Sequence, residues 1–276
     1  MTKLFDSHTH INNEDYTEEE REALIKEIEE SDVAYVMDVG CDLKTSEMAV
    51  EHSKRLPWCY GAVGIHPHDA KNMDDSTLEK IREMAGEEKI MAIGEIGLDF
   101  HYDISPRDEQ RECFRKQIRL ANQLKMPIII HTREADQETV EILKEEGAFS
   151  DERKSWFPPK KDGTPDARVL LHCYSGSKEL ALEYVKLGAT ISIAGPLTYK
   201  NNKKTPKVVE AVSIDNLLVE TDAPYLTPEP FRGKPNKSPY VEHTARRMAL
   251  IKGMEFDDVA RITMENAIRF FGIKED

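Results

Sequence analysis

The sequence predicts an α/β fold, a single (β/α)8 TIM barrel followed by closing helices, and three observations support this prediction. Eight short apolar runs recur along the 276 residues, and amphipathic helical patterns separate most of them. Strands that alternate with helices form βαβ units on a parallel sheet. No low-complexity linker divides the chain, and a barrel of eight such units takes roughly 250 residues as one domain. We therefore expect one domain that comprises residues 1–276.

The predicted strands are short and apolar, as parallel strands are when helices cover both faces of their sheet. In chain order they occupy residues 3–7, 33–39, 58–65, 90–95, 127–131, 168–172, 189–193 and 217–221. The helices predicted between them occupy residues 18–30, 43–56, 76–85, 106–125, 135–146 and 177–187. Two further helices, at 242–252 and 257–271, close the fold, with Asp257 as the expected N-cap and Gly272 as the C-terminal stop.

Two segments interrupt this alternation. Residues 147–167 are polar and rich in proline, and residues 224–240 contain five prolines. Both compositions are typical of irregular structure. We expect an excursion before the sixth strand and a long loop after the eighth.

Composition restricts the class of protein. The formal net charge of −14 argues against a surface that coats nucleic acid non-specifically. The four cysteines form no CxxC pair, which favours a reducing compartment over a disulfide framework. No run approaches the ~20 apolar residues of a membrane span, and the first residues lack the apolar core of a signal peptide. We expect a cytoplasmic enzyme with no membrane contact and no obligate protein partner.

Side chains that bind metals close or follow five of the predicted strands. The carboxyl ends of all strands meet at one rim of a barrel, where the active sites of this fold lie, so we expect these side chains to lie together. His8 and His10 are two residues apart, and on a strand such side chains point to the same face. The candidate ligands are His8, His10, Glu95, His131, His172 and Asp222.

The chemistry of this set indicates two metal ions. Imidazoles with carboxylates suit Zn, Mn or Fe, and Mg where oxygen ligands predominate. One catalytic zinc needs only three protein ligands and a water, so six candidates are a surplus. Two ions about 3.5–4 Å apart clamp a phosphate and activate a water. Glu95 is the candidate to bridge them, and Asp222 can both bind a metal and accept the proton of the attacking water.

Six motifs along the chain resemble those of the TatD family of metal-dependent deoxyribonucleases. They are, in order, FDSHTH, GIHPHDA, AIGEIGLDFHYD, PIIIHTREA, LLHCYSGS and LLVETDAPYL. The resemblance extends from Phe5 to the helices after Tyr240. It implies an amidohydrolase-like TIM barrel that hydrolyses phosphodiester bonds with two divalent ions per chain, Zn, Mg or Mn.

The resemblance also implies a role for each ligand. One ion is held by His8, His10 and Asp222, the other by His131 and His172, with Glu95 between the two and Asp222 as general base. The same analogy places His66 near the substrate; alternatively, the HPH sequence there is only a polar turn. Two features depart from the family pattern: residues 147–167 form a longer link than usual, and Tyr174 stands where Phe is common.

The substrate that this resemblance implies is DNA, at single-stranded ends, with 3′→5′ exonuclease polarity taken from the resemblance alone. Arg133 is a candidate to grip a phosphate, with a nearby carboxylate as the alternative partner. The lysine-rich residues 199–207 and 231–237 are candidates for backbone contacts or are ordinary charged surface. Tyr225 is one of the loop aromatics that either stack on bases or anchor the loop.

Two other classes of function stay open at this point. The same metal and water chemistry serves other esters and amides, such as a D-aminoacyl-tRNA, because fold does not determine function. A non-catalytic metal-binding protein is the second alternative, against which the complete ligand set argues. Among the supporting residues, we expect Asp99 to brace a loop and Glu220 to support a ligand. Asp6 either orients an imidazole or is an ordinary polar residue of the interior.

Overall fold

The computed structural model describes residues 2–274, and these form eight β-strands with helices between them. The strands are β1 (Leu4–Thr9), β2 (Val33–Val39), β3 (Cys59–Val63), β4 (Ile90–Asp99), β5 (Ile128–Arg133), β6 (Val169–Leu171), β7 (Thr190–Ile193) and β8 (Leu217–Val219). They follow chain order in one sheet, and every pair whose register is resolved is parallel. The predicted fold class, a (β/α)8 TIM barrel, is confirmed.

Ten α-helices lie in the described range, and eight of them were predicted to within two residues at each end. They are α1 (Glu18–Glu29), α2 (Leu43–Arg55), α3 (Asp75–Met84), α4 (Arg107–Leu124), α5 (Asp136–Glu145), α6 (Asp151–Ser155), α7 (Lys178–Leu187), α8 (Thr205–Ala211), α9 (Val241–Lys252) and α10 (Phe256–Phe271). Polar caps account for several of the starts: Thr17 and Glu20 form a capping box on α1, and the carboxylates of Asp42 and Asp74 cap α2 and α3. None of the helices in the described range is long and apolar enough to cross a membrane.

By their internal contacts, the described residues divide into two compact units. The first comprises residues 2–38, 172–186 and 190–274, and the second comprises residues 39–171 and 187–189. The single domain expected over residues 1–276 stays a prediction, and residues 1, 275 and 276 lie outside the described part of the chain.

In the first unit, β1 belongs to the buried core. It is buried along its whole length and pairs in parallel with β2. Phe5 of β1 stacks on Phe271 of α10 with 5.9 Å between ring centroids. Helix α10 ends at Gly272, whose φ of 72° suits a residue without Cβ, as predicted. Its N-cap is Glu255 and not Asp257, because Asp257 already lies in the first turn, where a carboxylate favours the helix dipole.

In the second unit, strands β4 and β5 continue beyond their apolar runs. Gly97 lies opposite His131, and Asp99 lies opposite Arg133, at the far end of the ladder. The predicted strand ends were therefore wrong for β4 by four residues and for β5 by two. Gly97 permits the close approach: its φ is 149°, and a Cβ there would lie 1.9 Å from the carbonyl oxygen of His131.

The excursion at residues 147–167 is an integral part of the second unit. It contains the short helix α6, which sequence patterning did not predict. Two cations of the excursion are buried: the guanidinium of Arg153 hydrogen-bonds inside the unit, and Lys160 donates to the carbonyl of Ala189. A buried cation needs hydrogen-bond partners, so these contacts attach the segment firmly.

Candidate metal centre

Each unit carries its own cluster of metal-binding side chains. The first cluster belongs to the first unit and combines three imidazoles with two carboxylates: His8, His10, His172, Glu220 and Asp222. His8 lies within β1 and not after it, His10 follows β1, His172 follows β6, and both acids follow β8. The structure thus brings four of the six predicted ligands together in this unit.

The imidazoles of the first cluster are packed against one another. The rings of His8 and His172 stack with 4.0 Å between centroids, and His8 Nε2 lies 3.3 Å from His10 Nε2. All three side chains are buried. The ligand atoms of His8, His172 and Glu220 lie within 4.8 Å of one another, close enough for one metal ion to contact all three.

Asp222 lies beside the two histidines of β1. Its Oδ1 is 3.4 Å from His10 Nε2 and 3.8 Å from His8 Nε2. Burial by itself would raise the pKa of Asp222, but the hydrogen bond from His10 and the neighbouring imidazoles lower it below its usual range. The carboxyl is therefore ionised at neutral pH. Its backbone is left-handed, with φ of 57°, and its amide donates to His8 O at 2.9 Å.

Glu220 is a second acid of this cluster, and the structure places it next to His172. Its Oε1 accepts the Cys173 amide at 2.6 Å and lies 3.4 Å from His172 Nδ1. Its Oε2 is buried and has no hydrogen-bond partner in the described part of the chain. A buried carboxylate oxygen without a donor is costly, and a bound cation would satisfy it.

Asp6 supports the segment that carries Asp222. Its two oxygens accept the Thr221 amide at 2.8 Å and the Thr221 hydroxyl at 2.6 Å. Burial raises the pKa of Asp6 to about 7. Both of these contacts are thus with Thr221, the residue immediately before Asp222.

The second cluster belongs to the second unit and consists of His66, Glu95 and His131. His131 Nδ1 lies 2.8 Å from Glu95 Oε1, and His66 Nε2 lies 3.5 Å from the same oxygen. The ligand atoms of the three residues lie within 4.8 Å of one another. His66 Nδ1 accepts the His68 amide at 3.1 Å, so the proton of a neutral ring is on Nε2, facing Glu95.

Asp99 contacts this cluster as well, although the sequence favoured a role in bracing the loop over a place at the rim of the site. It is buried, and its Oδ2 lies 3.1 Å from both His131 Nε2 and His68 Nε2. Its Oδ1 does brace the following loop, by accepting the amides of His101 and Tyr102. Burial opposes ionisation, but the hydrogen bonds from His131 and the loop amides hold the pKa of Asp99 below its usual range. The sequence did carry a signal for this position: Asp99 is four residues after Glu95, and strand residues at even spacing point to the same face.

Arg133 lies at the exposed end of β5. Its guanidinium carbon is 4.6 Å from the centroid of the Tyr102 ring, a cation–π contact. Tyr102 itself is 56% exposed. In the structure Arg133 thus stacks on an exposed aromatic ring, and its proposed contact with a phosphate stays a prediction.

The residues present fit divalent metal ions. Both clusters combine neutral nitrogen donors with carboxylates, a donor set that suits Zn or Mn. The imidazole of His131 lies between two carboxylates, with Glu95 at Nδ1 and Asp99 at Nε2. In metal sites one ring nitrogen binds the ion while the other donates to a carboxylate, and either carboxylate here could serve as that acceptor. The unsatisfied Oε2 of Glu220 is the independent observation that favours a cation over a network of hydrogen bonds alone.

Comparison with known proteins agrees with this geometry. Residues 5–272 match the family model described as "TatD related DNase". A Bacillus subtilis protein named as the uncharacterized metal-dependent hydrolase YabD is 43% identical over 98% of this chain and 99% of its own length. A Cronobacter sakazakii protein named as the 3′-5′ ssDNA/RNA exonuclease TatD is 29% identical over 97% of each chain. The crystal structure of YJJV, a TatD homologue from Escherichia coli, superposes with a TM-score of 0.85 at 24% identity over 98% of each chain, which shows the shared fold.

Proposed function

The chain belongs to the family of TatD-related DNases and is a metal-dependent hydrolase, and on that premise we propose that it is a 3′→5′ exonuclease on single-stranded DNA. The observation that carries the proposal is the pair of buried clusters, each with imidazole and carboxylate ligands. The exonuclease named above supports the choice of substrate and polarity.

The proposal includes the ligand assignment that the family resemblance implies. In that assignment His8, His10 and Asp222 would hold one ion, His131 and His172 would hold a second, and Glu95 would be a ligand of both. Zn, Mg and Mn are the candidates for both ions. Glu220, Asp99 and His66 then support these ligands from positions beside them.

Bound divalent ions would polarise the phosphate and lower the pKa of a water molecule. The ionised Asp222 carboxylate is the proton acceptor for that water. As the water oxygen bonds to phosphorus, the P–O3′ bond of the terminal linkage breaks, the proton of the water passes to Asp222, and the leaving 3′-oxygen takes up a proton from solvent to become the new 3′-hydroxyl. His66 is the candidate for one phosphate contact, as the family resemblance implies, and Arg133 is the candidate for a second.

The test is degradation of single-stranded DNA labelled at its 5′ end. Protein stripped of metal receives Mg, Mn or Zn singly, beside the variants Asp222→Asn and Glu95→Gln and the exposed control Glu51→Gln. We expect metal-dependent shortening from the 3′ end, reduced at least about a hundredfold in the two site variants and unchanged in the control. Shortening that Asp222→Asn leaves intact would refute the assignment of the base. Turnover of a carboxyl ester or amide without any cleavage of DNA would refute the nuclease proposal.

A further inference from the structure

An exposed basic surface lies in the first unit, although the protein as a whole is strongly acidic. Residues 199–207 contain four lysines and no acidic residue, and residues 225–240 contain three cations and one acid, Glu229. The basic surface consists of Lys200, Lys203, Lys204, Lys207, Arg232 and Lys234, all exposed. Seven cations and one carboxylate in these two segments contrast with the formal net charge of −14 for the chain.

Side-chain contacts join the two segments into one surface. The guanidinium carbon of Arg232 lies 4.3 Å from the centroid of the Tyr199 ring. The Tyr199 hydroxyl donates to Thr227 O at 3.0 Å, and the Glu229 amide donates to Thr198 Oγ1 at 2.8 Å. The lysines after β7 and the cations after β8 are therefore held next to each other.

The cations of this surface have no acidic partners of their own. In the part of the chain that the structure describes, none of the six forms an ion pair, whereas Lys237 in the same loop pairs with Glu27. Surface cations of this protein are commonly paired, as Arg115 and Arg119 are with Glu146. Six adjacent unpaired cations repel one another, and an external polyanion would relieve that repulsion.

The same loop presents an aromatic ring beside the first cluster. Tyr225 is 52% exposed, and its ring centroid lies 6.2 Å from that of His10. Its amide donates to Asp222 O at 2.9 Å, and its hydroxyl accepts from Asn13 at 3.0 Å. An exposed ring that is fixed at both ends can stack on a base with little loss of conformational freedom.

Internal hydrogen bonds hold the loop in place. Asn236 Nδ2 donates to Tyr225 O at 2.6 Å and to Thr221 O at 2.8 Å. The Thr227 hydroxyl donates to Lys234 O at 2.5 Å. The ring and the cations thus occupy defined positions before any ligand arrives.

We propose that this loop surface binds single-stranded nucleic acid, with the phosphate backbone on the basic surface and a terminal base on Tyr225. The inference rests on the proposed nuclease function and adds the residues that hold the strand. Regularly spaced phosphates match adjacent lysines, and an exposed ring accepts any base, so the surface selects a polyanionic single strand and not a particular sequence.

The test separates binding from hydrolysis. Fluorescence anisotropy in EDTA measures the Kd of a labelled oligothymidylate of about 12 nucleotides between about 50 and about 200 mM NaCl. The variant Lys203→Gln/Lys204→Gln/Arg232→Gln is compared with the control Lys80→Gln/Lys186→Gln/Arg55→Gln, which removes the same charge from exposed positions elsewhere. We expect the first variant to bind at least about tenfold more weakly than wild type. The salt slope, which is the slope of log Kd against the logarithm of the NaCl concentration, should fall by about 2 in this variant. The control should bind within about twofold of wild type. Tyr225→Ala should weaken binding about tenfold without changing the salt slope.

Hydrolysis of bis(p-nitrophenyl) phosphate in the presence of Mn distinguishes a failure of the binding inference from a failure of the nuclease proposal. Weaker binding of the strand with wild-type turnover of this small diester supports the inference. If wild-type protein degrades the strand but the triple variant binds it as tightly as the control does, the inference is overturned and the nuclease proposal stands. If the strand binds to the basic surface but no diester is cleaved, the nuclease proposal fails alone. Preferential binding to vesicles of anionic phospholipid, or loss of small-diester turnover in the triple variant, overturns the assignment of this surface to nucleic acid.

Discussion

Replacement of Arg153 by methionine tests whether the excursion at residues 147–167 is held by its buried cation. Arg153 is fully buried, and its guanidinium donates to four oxygens of the second unit, of which Arg168 O at 3.5 Å is the farthest and the other three lie closer. The distances are 2.8 Å to Ala167 O, 2.7 Å to Asn122 Oδ1 and 2.7 Å to Met126 O. Methionine has an unbranched apolar side chain that extends about as far as arginine Nε, and it donates no hydrogen bond.

The expected change in the free energy of unfolding is the difference between two opposing contributions. Each of the three closer acceptors would lose its donor, at a cost of ~1–3 kcal/mol for a buried group. Burial lowers the pKa of Arg153 to about 10, and a depression of that size corresponds to about 3 kcal/mol of desolvation that a neutral side chain does not incur. The desolvation that methionine avoids offsets part of the cost of the lost hydrogen bonds. We therefore expect Arg153→Met to reduce the free energy of unfolding by about 2–4 kcal/mol.

The assay is urea unfolding at neutral pH, followed by circular dichroism, with limited trypsin digestion to detect local opening of the excursion. Arg261→Met is the matched control, because Arg261 is half exposed and its ion pairs with Asp258 and Glu265 lie on the surface. Such pairs contribute at most about 1 kcal/mol. If Arg153→Met reduces the free energy of unfolding by less than about 1 kcal/mol and does not speed cleavage within residues 147–167, the claim that Arg153 holds the excursion is refuted.

Three further predictions concern pH, backbone geometry and metal binding. The hydrogen bond from Arg119 lowers the pKa of Glu146. The ionised Glu146 carboxylate therefore stabilises the folded protein at neutral pH, and this stabilisation is lost as the pH falls through the lowered pKa. Glu146→Gln should therefore cost about 1 kcal/mol near pH 7 and nothing in acid, as measured by urea midpoints across pH. Gly97→Ala forces a Cβ against a backbone carbonyl of β5 and should cost about 2 kcal/mol or more in thermal unfolding, whereas Gly163→Ala, with open space around it, has no such clash. Glu220→Gln keeps the shape of the side chain but removes its charge and should weaken zinc binding about 10–100-fold by titration; an unchanged affinity would exclude Glu220 from the metal site.

Hydropathy patterns located the strands but did not predict where each strand ends. Apolar runs located all eight strands, because parallel strands covered on both faces must be apolar. The same criterion ended β4 at Glu95, although the backbone ladder with β5 continues to Asp99. Backbone hydrogen bonds do not depend on side-chain polarity, so a strand can extend into the polar residues of a site without any signal in its hydropathy.

Short helices without an apolar stripe were missed for a related reason. Helix α6 has five residues and helix α8 has seven, too few for a recognisable period. Helix α8 contains Lys207 of the basic surface. Arg153 of helix α6 makes buried contacts with Ala167 and Asn122, which lie outside the helix and leave no trace in its local pattern.

The sequence by itself determined the fold class and the identity of the candidate ligands. The period of the apolar runs specifies alternating strands and helices, and His8, His10, Glu95, His131, His172 and Asp222 follow from their places in that alternation. Only the tertiary structure decided which groups support them, such as Glu220 beside His172 and Asp99 beside His131. It also decided that the two lysine-bearing segments form one surface. These contacts join residues that are distant along the chain, and local pattern carries no information about such distances.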